Sequence, residues 1–131
     1  MAKGLDKHRA RLDALNAFGK DLARRAKSQC EMCGASGTRL QIHEVPPVAS
    51  EPEFDHCILL CETCKGQLDN PKRLQPDHWR CLNTAVWSEV PAVQVMAVAT
   101  LKQLNGQAWA TELAEQLYLC PEVEAWLEEI D

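Results

Sequence analysis

At 131 residues, 46% of them hydrophobic, and a formal charge of −5, the sequence suits one compact domain and leaves little room for a second. Its most apolar stretch, Val90 to Leu104, is broken by Gln94, Thr100, Lys102 and Gln103, so it falls short of the ~18 consecutive apolar residues of a membrane span. The basic start has no apolar run behind it to make a secretory signal, so a cytoplasmic protein is expected, and the two Cys-x-x-Cys pairs among its seven cysteines point to thiolates kept reduced for metal rather than disulfides.

Residues 1–27 are expected as a basic helix. Leu5, Leu12, Leu15, Phe18 and Leu22 recur at helical spacing with charges between them, and Gly19 is a local weak point. Eight Lys and Arg stand against Asp6, Asp13 and Asp21 here, a local balance of +5, whereas seven acids and no base follow from Asn105 onward, giving −7. The basic front is either solvated, paired with the chain's own acidic tail, or a contact for nucleic acid or an acidic protein through Arg9, Arg11, Arg24 and Arg25.

Residues 28–70 change character. A Cys-x-x-Cys at Cys30 and Cys33 is followed by Gly34 and Gly37, the apolar run Leu40 to Val45 and the stop Pro46-Pro47, which predicts a knuckle and a strand. A loop from Pro46 to Asp55 leads to a second strand, Cys57 to Leu60, then to a second Cys-x-x-Cys at Cys61 and Cys64 and a short helix through Leu68, ended by Asn70-Pro71. Residues 71–131 are expected to be helical. Asp77 is a predicted cap for a helix carrying Leu82 and Val86; Ser88 and Pro91 mark another start, closed by Asn105-Gly106; Thr111 begins a third with Leu113 and Leu117; and Pro121 opens a last helix with Val123, Trp126 and Leu127.

The two cysteine pairs carry the clearest chemistry. Zinc takes four soft ligands in a tetrahedron, and a Cys-x-x-Cys turn sets two sulfurs on one side of an ion. The 27 positions from Gly34 to Leu60 hold two short strands and a loop, so the second pair can open a helix beside the first. The expected fold is therefore α+β and mainly helical: an N-terminal helix, a treble-clef zinc knuckle with a short β-hairpin, and a helical C-terminal half. One structural Zn2+ is expected on Cys30, Cys33, Cys61 and Cys64, and four thiolates with one zinc take the formal charge to about −7. Redox dithiols are the alternative, but they usually occur singly within a thioredoxin-like pattern. Four cysteine ligands leave no open position for a catalytic water.

Between the knuckles, Leu40-Gln-Ile-His43-Glu44-Val-Pro46 resembles the HNH nuclease arrangement in degenerate form: Asp55-His56 stands near the family's Asn and Lys65 where a His often follows the last cysteine. His43, Glu44 and His56 are thus candidate catalytic or metal-binding residues, set against the plainer expectation that they pack or are exposed beside the hairpin. Outside the tetrad, Cys81 with His78 as a base is a weak candidate nucleophile, and it reads better as a small core residue. Trp79, Trp87, Trp109 and Trp126 are expected as core anchors rather than stacking platforms for bases.

The strings Cys-Glu-Met-Cys-Gly-Ala (30 to 35), Glu-Val-Pro-Pro (44 to 47), Leu-Leu-Cys-Glu-Thr-Cys (59 to 64), His-Trp-Arg-Cys-Leu-Asn (78 to 83) and Trp-Ser-Glu-Val-Pro-Ala-Val-Gln-Val (87 to 95) resemble the PhnA family, and the likeness extends to the region of Tyr118 and Trp126. The resemblance implies a small zinc-binding protein, a non-catalytic binding or regulatory module, with the four cysteines as zinc ligands. Longer members of that family continue into a small β-rich domain beyond the position of Asp131. The family name comes from association with alkylphosphonate utilisation, and a phosphonate substrate does not carry over to any residue here.

Overall fold

The computed structural model describes residues 2–130, with side chains from Asp6 to Ile130. The side chain of Leu5, expected on the apolar stripe of the first helix, lies outside the described residues. The chain is α+β and mainly helical. Its elements are α1 (Ala2–Ala26), β1 (Leu40–Glu44), β2 (Cys57–Cys61), α2 (Glu62–Asp69), α3 (Leu82–Ala85), α4 (Pro91–Gln103), α5 (Ala108–Gln116) and α6 (Pro121–Ile130), with short 3-10 turns at Phe54–His56, Pro71–Arg73 and His78–Cys81.

The two strands pair antiparallel from Leu40 opposite Cys61 to Glu44 opposite Cys57. Successive strand residues face opposite sides. Ile58 and Leu60 accordingly enter a large apolar cluster with α4, while Cys57 and Leu59 enter a smaller one with Leu22, Phe18 and Leu15 of α1. Because both faces are covered, all five residues of β2 are buried, which explains an unbroken Cys-Ile-Leu-Leu-Cys in place of alternation. Phe18 meets Phe54 edge to face, with centroids 5.8 Å apart. Leu12, expected on the buried stripe, is instead 46% exposed, one turn beyond the part of α1 that the smaller cluster covers.

α1 stops at Ala26 because Lys27 and Ser28 both take left-handed backbone angles (φ 56° and 58°), and the Ser28 N–H donates to the Ala23 carbonyl at 2.9 Å, a helix-ending turn that lets the chain double back. α4 is the central helix. Nine of its residues, from Ala92 to Leu101, are buried, including Thr100, whose hydroxyl is satisfied by the Met96 carbonyl at 2.8 Å. Pro91 is its first residue, as predicted. Pro121 opens α6 in the same way, with Val123 and Leu127 buried, and the Trp126 indole N–H donates to the Pro46 carbonyl at 2.8 Å.

Two helix starts differ from expectation. Asp77 caps nothing: its own backbone is already helical (φ −65°, ψ −36°) and its side chain makes no capping bond, whereas a capping residue needs an extended backbone. The segment winds as a 3-10 turn from His78 and becomes α-helical only over Leu82–Ala85. Thr111 lies inside α5, which begins at Ala108; its hydroxyl bonds back to the Asn105 and Gln107 carbonyls, the usual resting place of a threonine within a helix. Leu117 falls just past the end of α5 yet still packs on the core. Of the four tryptophans, Trp79 is wholly buried and Trp109 and Trp126 are partly so, but Trp87 is 48% exposed and is not a core anchor.

Candidate metal centre

The first cysteine pair sits in a tight turn. The Gly34 N–H donates to the Cys30 carbonyl and the Cys30 N–H to the Ala35 carbonyl, both at 2.9 Å, and the turn closes through Gly34 at φ +78° and Gly37 at φ +69°, angles that glycine adopts without steric penalty. The knuckle is fastened to β2 by its middle residue. Glu31 donates its N–H to the Leu59 carbonyl at 2.8 Å, accepts the Leu59 N–H on its carboxylate at 2.9 Å, and receives two bonds from the Arg25 guanidinium at 3.0 and 2.7 Å. Within the motif, Glu31 had no signal of its own in the sequence, since a charged residue between two ligands reads as solvent-facing.

The second pair is set by the junction of β2 and α2. Cys61 is the last strand residue and the capping residue of α2, with its sulfur accepting the Cys64 N–H at 3.5 Å. The ligand atoms of Cys30, Cys33, Cys61 and Cys64 lie within 4.8 Å of one another, and no other group of three or more His, Cys, Asp or Glu ligand atoms does so among the described residues. Metal–thiolate bonds of about 2.3 Å would set tetrahedral sulfurs about 3.8 Å apart; the Cys33 and Cys61 sulfurs stand at 3.6 Å. The residues therefore fit a tetrahedral metal ion.

As bare thiols, Cys30, Cys33 and Cys64 compete for protons. A hydrogen bond from Cys64 holds Cys30 down at about 4, and the same contact, with burial and the neighbouring sulfur charges, drives Cys64 far up. Burial pushes Cys33 up to about 11. A central cation removes this conflict by stabilising all four thiolates together, with release of the protons they hold. One further side chain touches the cluster: the His78 Nε2 lies 3.2 Å from the Cys64 sulfur. In the sequence His78 offered itself only as a base for Cys81.

His43, Glu44 and His56 turn to three different partners. The imidazole of His43, 12% exposed, faces α2, with Nδ1 3.3 Å from the Lys65 Nζ and 3.9 Å from Asp69. Burial, then the Lys65 charge, lowers it to about 4. Glu44, one strand position on, faces α1 and receives the Arg11 guanidinium on both oxygens. The His56 ring lies tilted against Trp126, with centroids 4.6 Å apart and planes at 39°, and pairs with Glu53 at 3.3 Å, leaving its Nδ1 buried without a hydrogen-bond partner.

The candidate arginines divide in two. Arg11 is spent on Glu44 and on the Ala49 and Ser50 carbonyls, and Arg25 on Glu31 and the Cys57 carbonyl. Arg9 and Arg24 are exposed, Arg24 beside Asp21 at 3.9 Å. The remaining cysteines are poor nucleophiles or lie apart: burial pushes Cys57 up to about 11 and Cys81 up to about 12, and Cys120 is exposed. No family model, curated protein or solved structure matches this chain.

Proposed function

We propose that the protein is a small zinc-binding module of the PhnA type, in which one zinc ion on Cys30, Cys33, Cys61 and Cys64 staples a treble clef and performs no reaction. The convergence of four buried or half-buried cysteine sulfurs within 4.8 Å of one another carries this reading. All four are soft donors, the set that suits zinc, and four of them fill a tetrahedron without leaving a place for water. The order of knuckle, hairpin and helix, with the second pair straddling the start of α2, supports the treble clef. The module's work is then binding, and of the four candidate arginines on α1 the two exposed to an acidic partner are Arg9 and Arg24, the latter beside Asp21, since Arg11 and Arg25 are bonded within the chain. His43, Glu44 and His56, with their separate partners, lend no support to an HNH-like reaction.

Metal analysis of protein purified without added zinc is expected to return one zinc per chain, and Cys61→Ser to lower that content and destabilise the fold. A folded, intact sample with almost no zinc would overturn the proposal.

A further inference from the structure

Cys64 is wholly buried, so the negative charge it carries as a metal ligand meets no water there. A buried thiolate needs donors, as any buried charge does. Its neighbour in the second pair has one, the Cys64 N–H on the Cys61 sulfur. For Cys64 the group in reach is the His78 ring, with Nε2 at 3.2 Å. Four cysteines complete the tetrahedron, so the imidazole is left the part of donor rather than ligand.

The position of that ring is not accidental to the fold. α2 carries Cys64 and, three residues on, Gln67, which puts both on one side of the helix. The Gln67 Oε1 accepts two hydrogen bonds at 2.8 Å, from the Gln75 N–H and from the indole N–H of Trp79. Trp79 is fully buried, and the His78 ring stands edge-on to it, with centroids 5.1 Å apart and planes at 85°. One glutamine oxygen thus registers residues 75–79 on the helix that bears the ligand, and His78 is delivered to the sulfur by that brace.

We propose that His78 is a positioning residue of the metal centre, donating its Nε2–H to the Cys64 thiolate and holding that ligand on the ion. This rests on the zinc reading above. Groups of this kind around a metal typically change its affinity by about 10- to 100-fold when removed.

The test uses the full chain. In wild-type protein loaded with 113Cd in place of zinc, the His78 Nε2 proton is expected to be visible by NMR, slow to exchange with water and coupled to the metal through the sulfur. In competition with a zinc chelator, His78→Phe, which keeps the ring's bulk against Trp79 but has no donor, is expected to bind zinc about 10-fold or more weakly. His78→Gln, which restores an N–H, should recover part of that loss. Equal zinc affinity in wild type and a folded His78→Phe overturns the assignment, as does a metal-loaded wild type whose Nε2 carries no protected proton. The NMR measurement needs no variant and so decides even where a variant fails to fold. Wild-type protein that takes up no zinc overturns the zinc proposal and this one together, whereas zinc-loaded protein indifferent to His78 overturns this one alone.

Discussion

Adjacent strand residues point to opposite faces, and at His43 and Glu44 that single step sends one side chain to Lys65 on α2 and the other to Arg11 on α1. The burial of His43 has a consequence in pH. Its folded value of about 4 lies below the ordinary 6.5, so the unfolded chain takes up a proton first as pH falls. Stability is therefore lost as pH drops from 6.5 to 4 and levels off below, by about 3 kcal/mol in full. Denaturation of the metal-loaded protein between pH 7 and 5 should give a shallower pH slope for His43→Gln than for wild type; parallel slopes would show that His43 is not held neutral. Glu31 is 6% exposed and bonds both Arg25 and the Leu59 N–H. Glu31→Ala is expected to cost about 3 kcal/mol in chemical denaturation, because it strands a half-buried guanidinium and a backbone donor; a loss below about 1 kcal/mol would mark the pair as solvated. At this scale the sequence announced residue types but not their partners. Arg11 meets Glu44 across 33 positions, and no local pattern encodes such a pairing.

Elements were more legible wherever their signals are local. The knuckle, the two strands, the proline-initiated starts of α4 and α6 and the stop at Asn70-Pro71 all follow from spacing and backbone preference within a few residues. The misplaced starts at Asp77 and Thr111 have the opposite origin, since a capping side chain counts only if the backbone beneath it is extended. At Asp77, Pro76 and the Gln67 bond to the Gln75 N–H have already begun the turn. The knuckle's own requirement is testable at Gly34. Nothing lies within 4 Å of where its Cβ would stand, and φ is +78°, so Gly34→Ala carries a backbone cost alone, about 1–2 kcal/mol. Gly34→Asn should cost less, because Asn tolerates the left-handed region better; urea denaturation of the metal-loaded variants separates the two, and an alanine variant as stable as wild type would contradict it.

Over the whole molecule, the described residues of the basic first helix and of the acidic tail form separate ion pairs or none. Among the described residues no ion pair joins α1 to the acidic segment after Asn105: α1 pairs with Glu44, Glu31 and its own Asp21, while α6 packs on α4. No helix of the described residues is long and apolar enough to cross a membrane. The large apolar cluster runs from Cys30, Met32 and Cys64 through Ile58 and Leu60 to α4 and α6, so the four-cysteine cluster forms one wall of the core, and removal of the zinc proposed there should loosen both the knuckle and the helices packed on it. The most direct measurement is X-ray absorption at the zinc edge of the protein as purified. The expected result is a first shell of four sulfurs at about 2.3 Å with no nitrogen or oxygen. A shell with fewer sulfurs, or with nitrogen or oxygen in it, would contradict a zinc held by Cys30, Cys33, Cys61 and Cys64.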